Sequence, residues 1–209
     1  MPELIDLTRD LDQLTRLATR PDGLAELLQR ALRAIRELVP YDLAAVYTLE
    51  PDEQLRVRAA DGPLADGRVR RHVLELQKFP TIRRALELRR PIALDEEQHA
   101  GEEGDPYDGL LDLPEGHSCM VVPLFAGDRS LGMMTFDRST CGIYPDQSLA
   151  LAGVYGQVVS IALLFAEQTT LLDRLRHQAE ARTRLLEHES GADAAVRSHL
   201  VWREGARAA

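Results

Sequence analysis

The stretch His117-Ser118-Cys119-Met120-Val121-Val122-Pro123-Leu124-Phe125-Ala126-Gly127 runs directly into Asp128-Arg129-Ser130-Leu131-Gly132-Met133-Met134-Thr135-Phe136-Asp137, and these residues decide the fold. Ser118 to Phe125 is an almost continuous apolar run, the signature of a central strand. Leu131 to Asp137 reads as the returning strand, and Ala126 to Arg129 as the hairpin turn between them.

Outward from this hairpin toward the C-terminus, a long helix is expected from Pro145. Leu149, Val154, Val158, Ile161, Leu164 and Phe165 are spaced along it for burial. It continues past Glu167 through Leu171, Leu172, Leu175, Leu185 and Leu186, a loose heptad-like stripe in a charged background. A helix that outruns its domain must cover such a stripe, and the same helix of a second chain is the expected cover. Residues 191–209 carry little pattern and are expected to fray.

Toward the N-terminus, Asp95 to Gly116 is a long, polar, acidic loop, the kind that is functional or disordered. Before it come a short strand at Pro91 to Leu94 and a short helix opened by Pro80 and reaching about Leu88. Residues 70–79 stay open: Val69, Val73 and Leu76 have helical spacing, while Leu74 and Leu76 share one strand face. Leu43 to Leu49 reads as a strand. After a Pro51-Asp52-Glu53 turn, Leu55, Val57 and Ala59 alternate with Arg56 and Arg58 as its half-buried partner. Leu24, Leu27, Leu28, Ala31, Leu32, Ile35 and Leu38 mark a helix closed by Pro40. Leu4, Leu7, Leu11, Leu14 and Leu17 mark another over residues 3–19. The order implies an α/β domain whose terminal helices are bundled on one face of a sheet.

Composition narrows the class. A chain of 209 residues with 44% hydrophobic content supports one domain with a core plus helical extensions. No apolar run approaches the roughly 20 residues needed to cross a bilayer, and the acidic start, Met1-Pro2-Glu3-Leu4-Ile5-Asp6, lacks a secretory pattern. A cytoplasmic chain with no membrane contact is expected. Two cysteines, Cys119 and Cys141, are then thiols or ligands. A net charge of −9 makes a poor phosphate binder, so no direct nucleic-acid binding is expected. There is no phosphate-binding G-x-x-x-x-G-K-[ST] loop to make it an ATPase.

Three segments carry a more specific resemblance. Gly104-Asp105-Pro106-Tyr107-Asp108-Gly109-Leu110, then the Cys119 strand ending Pro123-Leu124-Phe125-Ala126-Gly127, then the strand ending at Asp137 are similar to the GAF domain of NorR-like regulators. These are nitric-oxide-responsive, sigma-54-dependent transcription activators. The resemblance covers about residues 10–175 and implies an antiparallel GAF-type sheet. The implied organisation is an N-terminal helix at 1–20, a GAF sensory domain at 21–166, a signalling helix at 167–190 and a weakly ordered tail at 191–209.

It also implies a non-enzymatic sensor with a mononuclear non-haem Fe(II), nitric oxide as signal, and an AAA+ domain outside this chain as output. The implied ligands are Asp105, Asp108, Cys119 and Asp137, with Tyr107, His117, Arg83 and Arg84 as auxiliary pocket residues. The family's arginine follows the proline that opens the short helix. Here Thr81 follows Pro80, and Arg83 and Arg84 lie shifted along the chain.

Carboxylates and a thiolate can hold Fe(II), and an open position can take a diatomic ligand. Asp105 and Asp108, three apart, share a face on one helical turn. The hairpin turn decides the rest. A two-residue Gly127-Asp128 loop sets Cys119 opposite Phe136; a three-residue loop ending at Arg129 sets it opposite Asp137. Iron therefore needs the longer turn, a bulge, or a ligand reaching over the strand end.

Plainer roles exist for each residue. Asp105 and Asp108 sit in turn-forming Asp-Pro and Asp-Gly pairs, Cys119 suits a packed core position, and Asp137 suits a strand end. His117 is expected to be exposed and Cys141 to be a bystander. Arg83, Arg84, Arg89 and Arg90 form either a solvated basic face answering the acidic loop, or a pocket closure or contact with a partner domain. Two other functions remain: a GAF domain that holds an organic ligand or none and serves to dimerise, and a methionine sulfoxide reductase using Cys119 and Cys141. The cysteine pattern does not match that enzyme family.

Overall fold

The computed structural model describes residues 23–94, 104–107, 109–111, 113, 114 and 117–205, with side chains described to residue 184 apart from 141. The helix expected over residues 3–19 lies outside the described residues. The elements run α1 (Leu24–Ile35), β1 (Leu43–Leu49), β2 (Gln54–Asp61), β3 (Val73–Glu75), α2 (Pro80–Leu88), β4 (Ile92–Leu94), β5 (His117–Ala126), β6 (Arg129–Cys141) and α3 (Asp146–Gly205). The ambiguous segment after Gly67 resolves into the short β3 between two 3₁₀ turns, Val69–Arg71 and Leu76–Lys78.

The strands form one antiparallel sheet in the order β3-β2-β1-β6-β5-β4. The hairpin at its centre uses the two-residue loop. Ala126 pairs with Arg129, and Gly127 has φ 58 at the first central position, where a type II′ turn requires glycine. The register then shifts between Leu124 and Phe125, so Cys119 pairs with Asp137. A bulge thus does what the longer turn would have done. Gly132, next to the shift, has φ 145, and a Cβ there would stand 2.0 Å from the Tyr47 carbonyl oxygen of β1. Only glycine fits that approach.

Both faces of the sheet are covered, which is why β1 and β5 lack alternation. One face packs Ala44, Val46, Met120, Val122, Met134 and Phe136 against Leu28, Leu32 and Ile35 of α1 and Tyr155, Val159 and Leu163 of α3. This is the expected bundling of helices on one face. Gly156 lets α3 close on β5, since a Cβ there would meet Val122 Cγ1 at 2.8 Å. The other face packs Ala45, Tyr47, Cys119, Val121 and Met133 against Ile82, Ala85 and Leu86 of α2 and against Tyr107. Burial on this second face builds the site.

The chain divides into two compact units, Met1–Ala166 and Glu167–Ala209. The second consists, where described, of α3 alone, with Leu171, Leu172 and Leu175 exposed. Its backbone is helical to Gly205, including the weakly patterned stretch after Gly191. That stretch contains Ala192, Ala194 and Ala195 and no proline, a composition a helix accepts.

The expectation about apolar runs is corrected. An 18-residue window between Asp146 and Arg184 has a mean hydropathy of 2.0, long and apolar enough by composition to cross a membrane. Of that window 39% is buried, with Ala152, Tyr155, Val159, Ala162 and Leu163 in the core. A helix apolar for packing on a sheet passes the same test, and Val154, Ile161 and Phe165 on its other side are exposed.

Candidate functional site

Beneath α2, Cys119 and Val121 of β5, Met133 and Thr135 of β6 and Tyr47 of β1 face the same way, two residues apart along each strand. With Ile82 and Thr81 above and Pro106 and Tyr107 at one side, they enclose a cavity of about 20 Å³. That is room for one water-sized molecule. Organic ligands occupy pockets of roughly 300–1,000 Å³.

Asp137 continues the β6 row beyond Thr135. It is wholly buried, and neither carboxylate oxygen has a hydrogen-bond partner among the described residues. Burial pushes its carboxyl up to about 8; the nearby Cys119 thiol partly offsets this and the charge of Asp105 adds to it. Cys119, its cross-strand neighbour, is buried too. Burial, and then Asp137 and Asp105, hold the thiol well above its ordinary range. A buried acid and a buried thiol, both kept protonated, therefore lie side by side, and the thiol is the one group beside the carboxyl that favours its charged form.

Asp105 is anchored otherwise. Its Oδ1 accepts the Tyr107 N–H at 2.7 Å, the Asx turn that its Asp-Pro setting suggested. Its Oδ2 stands 3.4 Å from His117 Nε2. His117 is buried rather than exposed, a correction: at the start of β5 its side chain turns toward the Asp105 segment. Asp108 lies outside the described residues, as does the side chain of Cys141. Among the described residues, no three histidine, cysteine or acidic side chains stand close enough together to hold a metal ion. The structure brings Cys119 and Asp137 into direct register, with Asp105 near enough for its charge to act on both.

Among the described residues, no arginine lines the cavity. Arg83 bridges to Glu53 at 3.2 Å and Arg89 to Asp128 at 2.8 Å, so these two arginines tie α2 to hairpin turns. Arg84 lines a separate open groove of about 880 Å³. Thr81 lines both groove and cavity.

Tyr107 is buried, and its hydroxyl accepts from Tyr47 at 3.0 Å and meets Thr135 Oγ1 at 3.0 Å. The Tyr47 hydroxyl also stands 3.1 Å from His72 Nδ1. Sequence reasoning missed Tyr47, His72 and Thr135 as site residues. The one available signal was a threonine on the inward row between Met133 and Asp137.

The GAF domain family model matches residues 22–164, and the chain belongs to that family. It is 31% identical over 153 residues to the anaerobic nitric oxide reductase transcription regulator NorR of Salmonella arizonae, covering 69% of this chain and 29% of that protein. It is 32% identical over 144 residues to the protein of the same name from Escherichia coli O7:K1, covering 66% and 26%. The chain thus spans less than a third of the length of these curated relatives. Among solved structures, the GAF domain of a phosphoenolpyruvate-protein phosphotransferase from Coxiella burnetii superposes with a TM-score of 0.62 at 16% identity, over 78% of this chain and 96% of that one. The free methionine-R-sulfoxide reductase of Neisseria meningitidis superposes with a TM-score of 0.58 at 16% identity, over 76% and 89%. At that identity the likeness is one of fold.

Proposed function

We propose that this chain is the sensory GAF domain of a cytoplasmic transcription regulator, and that it binds nitric oxide at a mononuclear Fe(II) held by Asp137 and Cys119. The observation that carries this reading is the Asp137 carboxyl, wholly buried, with no partner among the described residues beyond the neighbouring Cys119 thiol. Without a counter-charge burial keeps both groups protonated, and a cation that displaced the two protons would supply the partner their charged forms lack. Carboxylate and thiolate form a donor set that Fe(II) accepts. Asp105, and Asp108 from the segment that follows it, would complete the ligands. When bound, the iron supplies an open position to which nitric oxide bonds. The cavity beside Cys119, sized for one small molecule, fits such a ligand and speaks against an organic one.

In this reading the chain's own residues exclude bulk water, hold the two ligands in register and confine the gas. The output would be an AAA+ domain outside this chain, as the resemblance in the sequence implies. Val154, Ile161 and Phe165, exposed along α3, would pack against a second copy to form a homodimer. The reductase reading is disfavoured, since a buried thiol with a raised pKa is a poor nucleophile.

The test is anaerobic loading with Fe(II), then nitric oxide, read by electron paramagnetic resonance. The expected result is one iron per chain and a nitric-oxide-dependent signal, both lost in Asp137→Asn and Cys119→Ala. A protein that retains no iron and gives no signal would falsify the reading.

A further inference from the structure

The proposed ligands leave unused a row of buried hydroxyls along the cavity. Tyr47 donates to the Tyr107 hydroxyl, whose oxygen lies 3.0 Å from Thr135 Oγ1, while the Tyr47 oxygen lies 3.1 Å from His72 Nδ1. Each hydroxyl has one hydrogen to give. Tyr47 spends its own on Tyr107, so it accepts from His72, and Nδ1 carries a proton. Two hydroxyl-to-hydroxyl bonds use two of the three hydroxyl hydrogens, and one is left over. Chains polarised in one direction reinforce each other. The head-to-tail order is therefore His72 to Tyr47 to Tyr107 to Thr135, and the spare hydrogen sits on Thr135. Thr135 is buried and lines the cavity. An unpaired buried donor costs free energy, so a cavity that ends in one favours an occupant able to accept.

We propose that Thr135 is a positioning residue that donates a hydrogen bond to a single small acceptor molecule in the cavity. This rests on the nitric-oxide reading and adds to it. Tyr47 and His72 act through Thr135, by fixing which way the chain points. A hydrogen bond to the oxygen of bound nitric oxide draws electron density toward that atom. This weakens the N–O bond and lowers its stretching frequency.

The experiment is infrared spectroscopy of the iron-loaded chain with nitric oxide, in light and heavy water. Iron content is measured alongside, and the parent is compared with Thr135→Val and Thr135→Ser. The expected result is an N–O band that moves to higher frequency in Thr135→Val and returns in Thr135→Ser. It should respond to deuteration in the parent and in the serine variant but not in the valine variant. A band unchanged in Thr135→Val and indifferent to deuteration in the parent overturns the inference while leaving the iron reading intact. An iron-loaded parent with no band overturns both.

Discussion

At the scale of single residues, Asp137 dominates. Its carboxyl titrates near 8 in the folded chain against 3.8 as an ordinary aspartate. Between those values the folded form keeps a proton that the unfolded chain has given up, so stability falls as pH rises through that window and changes little outside it. A tenfold difference in proton affinity is worth about 1.4 kcal/mol, so the loss is on the order of several kcal/mol. Iron-free Asp137→Asn should therefore match the parent near pH 4 and exceed it at pH 8 to 9, as urea midpoints across pH would reveal. A constant difference at every pH would refute the buried, unpaired carboxyl. By the same logic, Fe(II) must displace the protons of Asp137 and Cys119, so loading should release protons and tighten with pH. Calorimetry in buffers of different ionisation enthalpy reads this directly. In a Cys141→Ser background, Cys119 should react with a thiol reagent on the order of a hundredfold slower in the native state than in urea. Fast native labelling would reopen the enzymatic reading. Residue types were legible from sequence here, because Cys119 and Asp137 stand in a recognisable run. Burial was not. His117 reads as a polar strand end, and only its approach to Asp105 shows why it turns inward.

At the scale of elements, the β5–β6 hairpin sets the site. Counting residues in its turn alone pairs Cys119 with Phe136, and one extra residue near Gly132 moves the pairing to Asp137. Alanine at Gly132 would put a methyl group into the β1 backbone at a φ that L-residues avoid. Gly132→Ala should cost about 3 kcal/mol or more, read as a lower urea midpoint, and should abolish iron retention. A variant that keeps stability and iron would show that another device holds the register. The strands were legible because strands buried on both faces read as long apolar runs, and α2 because Pro80 marks its first turn. The bulge was not, because it depends on how closely β6 approaches β1. The segment around β3 stayed ambiguous for a related reason. Val73–Glu75 is too short to show a period, and its pairing with β2 is what makes it a strand.

For the molecule as a whole, the sheet has one face for support and one that carries the candidate site. α1 and α3 stabilise the first, while α2 and the Tyr107 segment roof the second. The residues of α3 that do not meet the sheet include Ile161 and Phe165, four apart and exposed. Ile161→Glu should convert a dimer to a monomer in sedimentation velocity without changing the monomer's helical signal. A parent that sediments as a monomer at high concentration would refute the dimer. The cavity has room for one water-sized molecule, so in the proposed reading each chain holds one molecule of gas. A single chain's response to gas concentration must then follow a simple saturation curve, spreading from a tenth to nine-tenths occupancy over about two decades. Any steeper switching in a complete regulator has to come from chains counting together.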